Sequence, residues 1–179
     1  MQIGNSRQSW GTVSRSLHWL IVVLVIIQWV LAEKAGELPL GMAKLAMLAR
    51  HKSAGMTILA LAVLRLLWRL ASRGPQLPGT MRPWEKGLAR GSHAALYLCI
   101  LLLPLSGWLM SSARNFPVSW FSLFQFPDLV QPDPGLFDVL RAAHGAIFNA
   151  LLGLSILHVL GALKHHFYNR DDVLTRMLP

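Results

Sequence analysis

Four long apolar segments alternate with short polar linkers along the chain. They cover residues 17–32, 53–71, 91–113 and 142–163. Each is about the length a helix needs to cross a hydrocarbon core of ~30 Å, allowing for ends and tilt. The second is the least apolar, with Arg65 and Arg69 in its final turns. Arginines near a helix end can snorkel to the headgroups, so this segment still qualifies as a span. The third contains no formal charge. Gly74, Pro75, Pro78 and Gly79 mark the linker 73–81, and Pro117, Pro127, Pro132 and Pro134 punctuate 116–135. Prolines at that density preclude a regular helix. Trp120, Phe121, Phe124 and Phe126 suit a loop lying at a membrane interface. The pattern predicts an all-α membrane protein, a four-transmembrane-helix bundle, as one domain over residues 1–179.

Composition agrees. Of 179 residues, 54% are hydrophobic and only 14% charged, too apolar for an ordinary soluble domain. The formal charge of +9 raises nucleic acid as a partner. The basic residues cluster beside the apolar segments, as in juxtamembrane loops, which argues for membrane lipid and against nucleic acid. Cys99 is the single cysteine and lies in an apolar run. One cysteine excludes an intrachain disulfide, and no C-x-x-C-H motif is present for covalent haem attachment.

Charge also predicts direction. Eleven of the 17 lysines and arginines flank the N-terminus, the second linker and the C-terminus, among them Arg7, Arg15, Arg73, Arg82 and Arg176. The six on the other side include Lys52, Arg114 and Arg141. The excess places both termini in the cytoplasm. Val30, Leu31 and Ala32 imitate a signal-cleavage site, but three further spans follow, and the first segment is expected to remain as a span.

Alternating direction then sorts the histidines by depth. His51 and His144 share the outer level; His18, His93 and His158 share the inner one. His144 and His158 stand fourteen residues apart on one span. That is almost four turns, so both rings lie on nearly one face, about 21 Å apart along the axis. Ionisable residues at such depths are costly and usually face a bundle interior or a cofactor. Two depths, each with histidines from different spans, suit two b haems held by histidine pairs. The inner level holds one histidine too many, and His93 is a candidate for a propionate or a quinone instead. His165 and His166 fall just beyond the last span, as interface anchors or quinone-site residues. Arg15, Arg65 and Arg69 match haem propionates geometrically, with anionic lipid as the alternative. Gly55, Gly145, Ala146, Ala150 and Gly153 offer small neighbours for a macrocycle, although small residues also serve helix packing.

The ordered set of motifs resembles the bacterial cytochrome b561 family. The resemblance is carried by Arg15-Ser16-Leu17-His18-Trp19-Leu20, His51-Lys52-Ser53-Ala54-Gly55 and Leu64-Arg65-Leu66. It continues through Gly87 to His93 with Tyr97, Leu103-Pro104-Leu105-Ser106-Gly107, Ala143-His144, Leu157-His158 and the tail from Asp171 to Pro179. It implies a four-helix cytochrome with two non-covalent b haems in the bacterial inner membrane. It further implies that His18 and His158 bind the inner haem, and His51 and His144 the outer one.

Two histidines per iron leave no open position for oxygen chemistry, so one-electron transfer is the expected task. The resemblance suggests ubiquinone as partner and superoxide as one outer donor. The chain is then either a quinone-linked oxidoreductase or a pure electron carrier. Two alternatives stand beside this: a cytochrome subunit of a dehydrogenase or hydrogenase complex, and a haem-free transporter or structural bundle. A homo-oligomer is compatible with all three readings.

Overall fold

The computed structural model describes residues 3–6, 8–72 and 74–178. Arg7 and Arg73, counted above among the basic flanks, and Pro179 lie outside the described residues. Four helices carry the fold: α1 (Thr12–Glu37), α2 (Met42–Ala71), α3 (Pro83–Ala113) and α4 (Pro134–Lys164). All four are long and apolar enough to cross a membrane. They begin well before the apolar segments; α2 starts eleven residues ahead of Ser53. Hydropathy marks only the stretch that hydrocarbon demands, whereas backbone hydrogen bonding continues the helix through the polar headgroup zone.

Local chemistry sets the helix ends. Pro83 and Pro134 occupy first-turn positions, where a missing N–H costs nothing. The Glu85 carboxylate accepts from the Arg82 N–H at 3.0 Å, and Asp133 Oδ1 accepts from the Leu136 N–H at 3.0 Å. These acceptors satisfy donors that a helix start leaves unpaired. Pro104 sits inside α3 without ending it. After α4 the backbone widens into one π-helical turn, His165–Asn169, which stops at Arg170 in the left-handed region.

Packing is sequential. α1 lies against α2, α2 against α3, and α3 against α4. Among the described residues, no Cα of α4 comes within 8 Å of a Cα of α1 or α2. α2 is the most enclosed helix, burying Ser53, Ala54, Gly55, Met56, Ile58 and Ala62. Only 6% of the most apolar stretch of α4 is buried within the chain, against 28% for α2. The exposed apolar side chains suit contact with lipid tails.

The two ends of the bundle close differently. The 116–135 linker is free of helix up to Asp133, as its prolines require, but it contains a small antiparallel hairpin that the hydropathy pattern did not predict. β1 (Val118–Trp120) pairs with β2 (Phe124–Phe126) in the register Val118–Phe126, Ser119–Gln125, Trp120–Phe124. Its docking is polar. Ser53 Oγ donates to the Ser119 carbonyl at 2.8 Å and accepts from the Phe121 N–H at 3.0 Å. Trp120 Nε1 donates to Thr57 Oγ1 at 3.0 Å. At the opposite, terminal end the chain's tail returns to α1. Trp19 Nε1 donates to the Met177 carbonyl at 2.8 Å, and Arg15 Nη1 to the Leu178 carbonyl at 3.0 Å. The described tail therefore sits at the same end of the bundle as the start of α1.

Ser53 is 3% exposed and bonds two hairpin backbone groups. Ser53→Ala leaves both without that partner and is expected to destabilise the protein by about 1–3 kcal/mol. A lowered thermal midpoint in detergent, with protease cleavage appearing first between Phe116 and Leu129, checks this.

Candidate functional site

Five histidines from the four helices converge at two levels inside the bundle. At the hairpin end the pair is His51 of α2 and His144 of α4. Two cavities of about 210 and 200 Å³ meet there, and both are bordered by His51, His144, Gln28, Gly55 and Pro104. The first extends toward the hairpin, past Lys52, Trp108, Arg114 and Val118. The second runs between α1 and α4, past Trp29, Phe148 and Leu151. The surface exposed to both cavities is mostly apolar, although Gln28, His51 and His144 border each of them.

The two rings are held from behind. Gln28 forms a reciprocal clamp with His51: Gln28 Nε2 donates to the His51 carbonyl at 2.8 Å, and His51 Nδ1 lies 3.3 Å from the Gln28 carbonyl. Gln28 Oε1 is buried and has no partner. His144 Nδ1 lies 2.9 Å from Ser106 Oγ. Two glycines make room. A Cβ on Gly107 would sit 3.1 Å from His144 Cε1, and one on Gly55 would sit 3.1 Å from Gln28 Nε2.

At the terminal end, His18 of α1, His93 of α3 and His158 of α4 cluster. The His18 and His158 ring centroids are 6.3 Å apart; those of His93 and His158 are 5.3 Å apart. Arg65 reaches into this end, donating from Nε to Tyr97 Oη at 3.1 Å and from Nη1 to the Ser14 carbonyl at 3.2 Å. Arg69 stacks its guanidinium over Tyr97 at 5.5 Å. Arg15 binds the tail carbonyl of Leu178, while its Nε is buried without a partner. His165 lies 2.6 Å from an Asp171 carboxylate oxygen in a contact that is about one-eighth exposed on each side, 12% and 13%. His166 packs on Phe167. The structure thus brings His93 to His18 and His158, while His165 and His166 engage the tail and their own turn.

Gln28 and the histidine-facing role of Ser106 were not anticipated from sequence. A signal for Gln28 existed. Apart from His18 and two tryptophans, it is the one residue with a polar side chain between Leu17 and Ala32. A lone amide in an apolar span needs a partner, and a histidine at matching depth was available. Ser106 had no such mark, because small hydroxyls are common in membrane helices.

Each level links α4 to a helix whose backbone it does not approach: His144 faces His51 of α2, and His158 faces His18 of α1. At the hairpin level the surface of the gap is mostly apolar, and Gly55, Gly107 and Gly145 border it. That space and imidazole donor set fit a flat apolar group held from both faces by nitrogen, as in haem-binding bundles. A four-span bundle with such histidine pairs defines a membrane cytochrome of the b type. The chain belongs to the prokaryotic cytochrome b561 family, whose sequence model matches residues 9–179. It is similar to cytochrome b561 homolog 2 of Escherichia coli K12, with 31% identity covering 99% of this chain and 95% of that protein. It is 34% identical to a probable superoxide oxidase, CybB, of Yersinia pestis, over 91% of this chain and 92% of that one. Cytochrome b561 homolog 1 of E. coli K12 is 28% identical, over 91% and 93% respectively. The protein is therefore a bacterial membrane cytochrome of electron transfer, in a family that implies b-type haem.

Gly107→Val places branched carbon against the His144 ring and is expected to lower the b-type haem content per chain. Reduced-minus-oxidised absorbance of purified protein measures it. Gly161→Val is the control, since a Cβ there meets nothing within 4 Å.

Proposed function

We propose that the chain is a di-haem b cytochrome of the bacterial inner membrane, moving single electrons between the ubiquinone pool and a donor on the outer side. Both termini lie in the cytoplasm on this reading, following the basic excess at the terminal end. His18 and His158 are the inner axial pair, and His51 and His144 the outer pair. The observation that carries it is the His18–His158 centroid separation of 6.3 Å. A metal bonded at about 2 Å to one nitrogen of each ring places the centroids roughly 6 Å apart. The 5.3 Å between His93 and His158 is short for such a pair, which supports His18 over His93 as ligand. When bound, a b haem with two imidazole ligands supplies outer-sphere one-electron transfer.

Arg15 and Arg65 serve the inner propionates in this assignment. The buried, unpaired Nε of Arg15 supports it, because a buried donor left unpaired is costly. Of the quinone candidates, His93 is the one set beside the inner pair, and His165 is committed to Asp171. The similarity to a probable superoxide oxidase supports superoxide as the outer donor. Lys52 and Arg114 border the cavity that reaches His51 and His144, and their charges attract a small anion.

Pyridine haemochrome analysis of the detergent-purified chain tests the core of the reading. Two haems per polypeptide are expected, falling to about one in His51→Ala or His144→Ala and likewise in His158→Ala. A colourless protein after expression with ample haem overturns it. For the donor, Lys52→Glu with Arg114→Glu is expected to slow superoxide-driven quinone reduction by about tenfold at low salt, with a weaker salt dependence. An unchanged rate removes Lys52 and Arg114 from the proposal, and a wild type that reduces no quinone with superoxide removes superoxide.

A further inference from the structure

Ser106 touches groups on two helices at once. Its Oγ donates to the Leu103 carbonyl, one turn back on α3, at 2.7 Å. The same oxygen lies 2.9 Å from His144 Nδ1 on α4. A hydroxyl carries one proton. With that proton directed at Leu103, Oγ accepts toward His144, so Nδ1 carries the ring hydrogen. The lone pair is then on Nε2. His144 borders both cavities of the hairpin-end level, whereas Ser106 borders neither. Gly107 leaves room for the ring on another side, where an added Cβ would sit 3.1 Å from Cε1.

The opposite histidine is held differently. His51 Nδ1 faces a main-chain carbonyl, that of Gln28, at the longer distance of 3.3 Å. Of the two ring-nitrogen contacts at this level, the shorter, and the one made by a side chain, is that of Ser106.

We propose that Ser106 is a positioning residue that sets the tautomer and orientation of His144 and, through them, the reduction potential of the hairpin-end level. The inference rests on His144 being an axial ligand, as proposed above. Hydrogen-bond donation from Nδ1 makes the imidazole a stronger electron donor and favours the oxidised metal. Removing the acceptor therefore raises the midpoint.

The test is a spectroelectrochemical titration of the full-length holoprotein in detergent, for the wild type, Ser106→Ala and Ser106→Thr. Ser106→Ala is expected to keep both haems and to raise one of the two midpoints by about threefold in the oxidised-to-reduced equilibrium, which is about 28 mV for a one-electron couple. Ser106→Thr restores the hydroxyl and is expected to return that midpoint to the wild-type value. Unchanged midpoints in Ser106→Ala, with both haems retained, overturn the inference. Should Ser106→Ala lose one haem, Ser106→Thr decides. Two haems with wild-type midpoints uphold the hydroxyl's role, and loss of the same haem reduces Ser106 to packing and overturns it. His144→Ala separates the two readings. If it leaves the haem count unchanged, the ligand assignment itself has failed, whatever Ser106 does.

Discussion

A neutral imidazole has one donor and one acceptor, and hydrocarbon satisfies neither. Placing five histidines inside a membrane bundle obliges the surrounding helices to supply partners for both ring nitrogens. At the hairpin end this is done from behind: the Gln28 carbonyl faces His51 Nδ1, and Ser106 Oγ faces His144 Nδ1. The remaining nitrogens are left to the apolar space between the helices. The rest of the architecture keeps that space open. α4 packs on α3 and stays clear of the backbones of α1 and α2, although Trp29 and Phe148 approach across the seam to 6.2 Å.

An open seam in lipid is stable only if the polar backbone at its ends is covered. The hairpin covers one end through Ser53, Thr57 and Lys52, whose Nζ donates to the Pro117 carbonyl at 2.7 Å. Helix α3 contributes as well. Trp108 Nε1 donates to the Pro127 carbonyl at 3.0 Å, and Ser112 Oγ accepts from the Leu129 N–H at 3.1 Å. The tail covers the other end through Trp19 and Arg15, and Arg176 Nη1 donates to the Gln76 carbonyl at 2.9 Å. These caps join segments far apart in sequence, so they tie the helix pairs together without filling the space between them.

Membership of the prokaryotic cytochrome b561 family gives that space a purpose in electron transfer. The two levels differ in kind. The hairpin-end level has two histidines, open cavities and cationic residues at its mouth. The terminal level has three histidines, with two arginines, Arg65 and Arg69, gathered on Tyr97. On the proposed di-haem reading, different surroundings at the two depths give a directional electron path, because burial, charge and hydrogen bonding at the ligands shift potentials separately.

The four helices, their membrane character and the two depths of the histidines were legible in the sequence alone. Hydropathy over about twenty residues is a one-dimensional property, and the alternation of spans orders depth without any knowledge of packing. Arg15, His18, His51, His93, His144 and His158 could be singled out for the same reason: charge and imidazole are costly wherever they fall in such a segment. The tertiary structure decided how far apart the rings stand, that α4 leaves a gap toward α1 and α2, and that Gln28, Ser106 and Gly107 face the histidines. It also decided that 118–126 forms a hairpin and that His165 turns to Asp171. Hydrogen bonds of about 3 Å between residues 23 to 163 positions apart depend on the rotation of each helix about its axis. That rotation is set by packing against neighbours, which no local pattern encodes.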